Sequence, residues 1–129
     1  MDKKLDPTET ELEILKVLWN NGPSSVKAVN QELNHKKITG YTTTLKLMQI
    51  MHVKGLVDRD ESQRQHIYHA AIAENQVKQG FIKKMMKNLY AGSASQMIMQ
   101  ILGSGSASAK ELEEIKNFIT KMEDEQNGR

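Results

Sequence analysis

Between Tyr41 and Tyr68 the chain changes its apolar period, and that change leaves few folds open to it. A helical pattern runs from Tyr41 to Val53 and stops at Lys54-Gly55, with glycine where helices commonly end in a left-handed residue. Short strands are expected at Leu56–Arg59 and Gln65–Tyr68, separated by a polar tip, Asp60–Arg64. That tip is longer than a two-residue hairpin loop, as a protruding wing requires. A helix followed by such a hairpin is the closing half of a winged helix-turn-helix. There, one helix can enter a DNA groove while the hairpin grips the backbone beside it.

Two further helices should precede this segment. Thr8-x-x-Glu11 is a capping box just after Pro7, and Leu12, Ile14, Leu15, Leu18 and Trp19 follow at helical spacing. Asn20-Asn21-Gly22-Pro23 ends the run. A second helix should open at Ser24 or Ser25 and reach Leu33, with Val26, Val29 and Leu33 on one face. A basic loop, His35 to Thr39, and Gly40 then lead into helix three. At about 100° per residue, Thr44, Leu47, Met48 and Met51 gather on one side of that helix. Thr42, Thr43, Lys46, Gln49 and Ile50 gather on the other. The first set can close a core, and the second is small, polar and cationic, as a major-groove face would be. The same residue types also make an ordinary solvated face; the flanking helices and hairpin are what favour the groove.

Composition sets outer bounds. The 129 residues carry 18 Lys and Arg against 16 Asp and Glu, with 38% hydrophobic residues and no cysteine. Without cysteine there are no disulfides, thiolate metal sites or cysteine nucleophiles. No apolar run approaches the roughly 20 residues of a membrane span, and Met1-Asp2-Lys3-Lys4 does not open a secretory signal. A soluble, cytoplasmic protein with no membrane insertion and no cofactor is expected. The charge is unevenly placed. Residues 1–26 hold Lys3, Lys4 and Lys16 against Asp2, Asp6, Glu9, Glu11 and Glu13, whereas residues 27–57 hold Lys27, Lys36, Lys37, Lys46 and Lys54 against Glu32 alone. Positive potential therefore concentrates around helix three.

On this reading Tyr41, Thr42, Thr43 and Lys46 are the candidate DNA-contacting residues of helix three, with Arg64 as a phosphate clamp on the wing, helped by Gln65 or His66. Asp60 and Glu61 on the same tip would repel phosphate, so contact is expected on the Arg64 side only.

From Ala73 the pattern is purely helical. Val77, Phe81, Met85 and Leu89 stripe one helix, Glu74 to Leu89, and Tyr90-Ala91-Gly92 breaks it. Met97, Ile98, Ile101 and Leu102 mark a short helix opened by Ser93; after the Gly103–Ser106 joint, Ser108-x-x-Glu111 caps a last helix bearing Leu112, Ile115, Ile119 and Met122. One protomer cannot cover all these stripes, so an isologous dimer is expected. Its surface would comprise Phe81, Met85, Leu89, Met97, Ile98, Ile101, Leu102, Ile115, Ile119 and Met122. The organisation expected is therefore mainly α with a small β-hairpin wing: a winged helix-turn-helix DNA-binding domain over 1–72, C-terminal dimerisation helices over 73–125, and a disordered tail from 126.

The chain resembles the penicillinase-repressor family of bacterial regulators, the BlaI/MecI/CopY type. The resemblance is carried by Pro7 to Leu15 with Leu18-Trp19, by Tyr41-Thr42-Thr43-Thr44-Leu45, by Lys54-Gly55-Leu56-Val57, by His66-Ile67-Tyr68 and by Gly92-Ser93-Ala94-Ser95. It implies a homodimeric repressor on a palindromic operator, with many such proteins released when a membrane-bound sensor protease triggers cleavage in the dimerisation region. The Asn-Phe pair cut in those members falls at Gln100-Ile101 here, and Asn117-Phe118 lies in the last helix instead. The cysteine pairs of the copper-responsive members are absent. Ile50 stands where relatives often carry a basic residue.

Two other classes compete. A winged-helix protein–protein adaptor would keep this fold and leave the outer face of helix three uncommitted. An enzyme or metal site would draw on His35, His52, His66 and His69, which form no HExxH or comparable cluster.

Overall fold

In a computed structural model, residues 6–128 are described; the N-terminal Met1-Asp2-Lys3-Lys4 reading lies outside them. The fold begins as the capping box requires. Thr8 Oγ1 accepts from the Glu11 amide at 3.2 Å and Glu11 Oε1 accepts from the Thr8 amide at 2.9 Å, opening α1 (Glu9–Asn21). Gly22 closes it at φ 80°, a left-handed conformation open to glycine without strain. The chain then pairs two residues as β1 (Ser24–Ser25) before α2 (Val26–Leu33), whose N-cap is Ser25. Helix α3 (Tyr41–Lys54) ends on Gly55 at φ 86°, and the Leu56 amide donates back to the Met51 carbonyl at 2.9 Å.

Leu56 therefore belongs to the helix closure, and the hairpin starts one residue later than its apolar pattern suggested. Strands β2 (Val57–Asp60) and β3 (Ile67–Ala70) are antiparallel, with Val57 opposite Ala70 and Arg59 opposite Tyr68. Gln65 and His66, expected in the second strand, lie on the tip instead, which spans 61–66. The pairing partners of β2 run out at Ile67, and that places the tip. β1 adds to the other edge of β3, Ser24 opposite Tyr68, giving the order β1-β3-β2. The sequence held no sign of this third strand: two serines carry no period.

The core gathers Ile14, Leu15, Leu18, Val26, Val29, Met48, Met51, Leu56, Val57, Tyr68, Ile72 and Val77. Trp19 donates through Nε1 to the Ile72 carbonyl at 2.9 Å, tying the end of α1 to the exit from the sheet. Val77 and the half-buried Phe81 extend this core along α4 (Glu74–Tyr90). Two compact units accordingly meet between Lys83 and Lys84, inside α4, rather than at 72/73 where the strands give way to helix. Phe81, expected on a dimer surface, packs against the core of the first unit.

The second unit continues through α5 (Ala94–Gly103) and α6 (Ala109–Gln126). Ser93 and Ser108 cap these helices through their side chains. Helix α6 runs on through Gln126, where a disordered tail was expected to begin, and the Asn127 amide donates to the Glu123 carbonyl. Neither α5 nor α6 has a buried residue.

A second long-range tether in the first unit is ionic. Lys54 Nζ lies 2.9 and 2.7 Å from the two Glu11 oxygens, with the Glu11 side chain 3% exposed and that of Lys54 42%. Glu11→Gln keeps an oxygen for the Thr8 amide and removes the charge. It should lower the unfolding free energy by about 1–2 kcal/mol. A double-mutant cycle with Lys54→Met in urea unfolding should return a coupling of about 1 kcal/mol. A coupling near zero would mean the pair behaves as a surface contact.

Candidate nucleic-acid interface

Helix α3 is seated by one face and free on the other. Thr44, Met48 and Met51 are buried, and Leu45 and Leu47 pack partly against the same core. Tyr41, Thr42, Thr43, Lys46, Gln49 and Ile50 are exposed. The division expected from helical spacing thus holds, and all four residues picked out on α3 are exposed, Thr42, Thr43 and Lys46 on the outer face and Tyr41 at the helix start.

The entry to α3 is held from α2. Asn30 Nδ2 donates both protons, one to the Thr39 carbonyl and one to Thr44 Oγ1, each at 2.8 Å. Asn34 Oδ1 accepts from the Thr39 amide at 2.6 Å, and Asn34 Nδ2 donates to Asn30 Oδ1 at 3.4 Å. Sequence reading passed over both asparagines, whose one signal was their i, i+4 spacing at the end of a helix. At the start of α3 itself, Gly40 supplies no side-chain cap, so the first-turn amides of Tyr41, Thr42 and Thr43 keep their donors for another acceptor.

The basic stretch is less available than its composition implied. Lys54 is committed to Glu11, and Lys36 lies 3.6 Å from Glu13. Lys27, Lys37 and Lys46 have no ion-pair partner among the described residues.

On the wing, Arg64 is exposed and likewise unpaired among the described residues. Arg59, which sequence reading left as an ordinary strand residue, is occupied. Its Nε donates to Glu61, its Nη1 lies 3.3 Å from the Tyr68 hydroxyl, and its guanidinium sits 5.9 Å from the Tyr68 ring centroid. The cross-strand register makes this contact, so the local sequence could not announce it. His69 pairs with Asp58 at 3.8 Å on β3, whereas His66 lies on the tip. Among the described residues no group of three or more His, Asp or Glu side chains is placed to hold a metal ion.

In the second unit the expected dimer residues are surface residues. Ile98, Ile101, Ile119 and Met122 are each nearly half exposed, as is Met85 of α4. Leu89 is 72% exposed and Phe118 61%. Met97, Leu102 and Ile115 are partly covered.

The penicillinase repressor family matches residues 7–121 of this sequence. The chain belongs to that family. Similar proteins include the methicillin resistance regulatory protein MecI of Staphylococcus aureus strain N315, 21% identical over 120 residues that cover 93% of this chain and 98% of that one. The MecI proteins of Staphylococcus epidermidis and Mammaliicoccus sciuri match over the same shares at 21% and 20% identity. The winged-helix fold and the function class agree: this penicillinase repressor family member is a transcriptional repressor and not an enzyme. Among the described residues no helix is long and apolar enough to cross a membrane.

Two carboxylates where β2 passes into the tip, Asp60 and Glu61, stay charged. Hydrogen bonds from Ser62, through its side chain and then its amide, hold the Asp60 carboxyl below the usual range. The hydrogen bond from Arg59, reinforced by its charge, does the same for Glu61. Carboxyls lowered in this way stabilise the fold above their unfolded pKa values. That contribution is lost as pH falls through the lower folded values, so at neutral pH both tip charges are present in full. Arg59→Gln should raise the Glu61 midpoint toward that of an unperturbed glutamate, read by carboxyl NMR across an acid titration. A midpoint unmoved by the substitution would show that Arg59 is not its cause.

Proposed function

We propose that this repressor binds a palindromic operator as a homodimer, with α3 in the major groove. The observation that carries this reading is the division of α3. One face is locked into the core, and the other offers Thr42, Thr43 and Lys46 beside a first turn whose amides no side chain caps. Threonine can hydrogen-bond a base edge or touch a thymine methyl, and lysine suits guanine. Tyr41, Arg64 and the free amides of α3 hold phosphates, since a helix N-terminus favours anions. The acidic tip keeps the wing's contact to its Arg64 side.

Dimerisation is supported by the second unit, where α5 and α6 bury nothing on their own and leave apolar residues half exposed. A second copy covers that surface and makes the second half-site contact effectively intramolecular. Half-site centres then lie about one helical turn apart or a small multiple of it. The place of action is the cytoplasm, with the DNA. For release by a membrane sensor protease, the bond to examine is Gln100–Ile101 near the end of α5. Cutting there would sever α6 from α5 and divide the apolar surface.

Selection from a randomised duplex library should enrich one inverted repeat. Anisotropy with that duplex should show tight, salt-steep binding, against weak binding of a shuffled duplex. Lys46→Ala should weaken operator binding roughly tenfold and Thr43→Ala should relax the preference at one position. Arg64→Ala should weaken both duplexes alike and lower the salt slope by about one. Ile101→Asp should give a folded monomer with poor operator binding; a dimer with intact affinity would refute the assigned interface. Failure to enrich any sequence would leave the winged-helix adaptor as the function.

A further inference from the structure

We infer that Asn30 is a positioning residue for sequence reading, acting on α3 without touching DNA. This rests on the DNA-binding role proposed above and goes beyond it, since Asn30 stands on α2, outside the reading face.

The two protons of its amide bracket the reading residues. One goes to the carbonyl of Thr39, just before the N-cap Gly40, and the other to the hydroxyl of Thr44, at the end of the first turn. Tyr41, Thr42 and Thr43 are the residues in between. Asn34, the C-cap of α2, completes the device by accepting from the Thr39 amide, so that both main-chain groups of Thr39 are held from α2 and its cap. Thr44 is itself fully buried, so its hydroxyl is a fixed anchor rather than a mobile partner.

Beyond one local hydrogen bond, from Thr39 Oγ1 to the Lys37 carbonyl at 3.1 Å, the rest of the α3 entry offers little restraint. Gly40 gives no side-chain cap, and Ile38 is 90% exposed, so no packing pins the turn at that point. A cap from the chain itself would occupy the amides that a phosphate requires. Holding the turn from α2 instead leaves those amides free and orders them in advance. The gain is preorganisation: order present before binding does not have to be supplied by binding. Base-edge contacts depend on geometry and feel its loss most. General phosphate attraction depends on charge and feels it little.

The test compares wild type, Asn30→Ala and Asn34→Ala, each shown folded by its melting transition and measured well below it. Binding is read with the duplex enriched by wild type and with a shuffled one, and amide exchange is read at Thr39 and Thr44, the hydrogen-bonded amides that flank the first turn. We expect Asn30→Ala to cut the preference for the enriched duplex roughly tenfold while leaving shuffled-duplex affinity and salt slope unchanged. Exchange of the Thr39 and Thr44 amides should accelerate. Asn34→Ala, an exposed position, should do the same to a smaller degree; if Asn30→Ala does not fold, it carries the test alone. A purely structural role predicts a lower melting temperature with an unchanged preference, and that result overturns the proposal. Unaltered exchange also overturns it. If wild type itself enriches no sequence, the DNA-binding role fails first, visibly and without any variant.

Discussion

One carboxylate holds the first unit in register. Glu11 closes the capping box that starts α1 and takes both hydrogen bonds of Lys54 from the last turn of α3. The two residues are far apart in sequence, yet between them they fasten the first turn of the fold to the point where α3 ends and the wing begins. An ion pair of this kind, buried on one side, adds only modest stability because desolvation offsets most of the attraction. Its worth lies in position. A hydrophobic contact would tolerate sliding of α3 along α1, whereas a two-oxygen contact does not. The direction of α3 and the launch of the wing therefore share one fixed point, and the Trp19 bond to Ile72 supplies the second at the far end of α1.

The apolar side chains are partitioned between the units in a way that bears on function. The first unit closes around residues from all three of its helices, its strands and the start of α4. In the second, the amphipathic stripes of α5 and α6 leave no side chain fully buried. A unit so arranged leaves apolar surface uncovered within one chain.

Much of the fold was legible in the sequence because its signals are local. The two capping boxes, the glycine stops and the helical stripes each lie within a few residues of the structure they specify. The same locality explains the misses. Strand β1 exists only because β3 offers a free edge to Ser24 and Ser25. The wing strands lie one and two residues beyond their apolar pattern, since Leu56 is drawn into closing α3 and pairing starts from Val57. Phe81 shows the stripe of an interface residue, and its core partners come from other elements.

The site divides along the same line. The sequence alone determined which residues of α3 face outward, because the angular step of a helix is constant and the buried threonine and methionines mark the inner side. It also determined the family, through short motifs in fixed order over nearly the whole chain. Only the tertiary structure decided which charges remain free. Lys54 counted as part of a basic patch until Glu11 claimed it, and Arg59 could not be assigned until the strand register set it against Tyr68. The Asn30 and Asn34 tethers belong there too, since they join side chains of α2 and its C-cap to the turn or to α3 itself. Linear spacing encodes which way a side chain points along its own helix. What that side chain meets depends on elements brought together by the whole fold, and no window of sequence contains them.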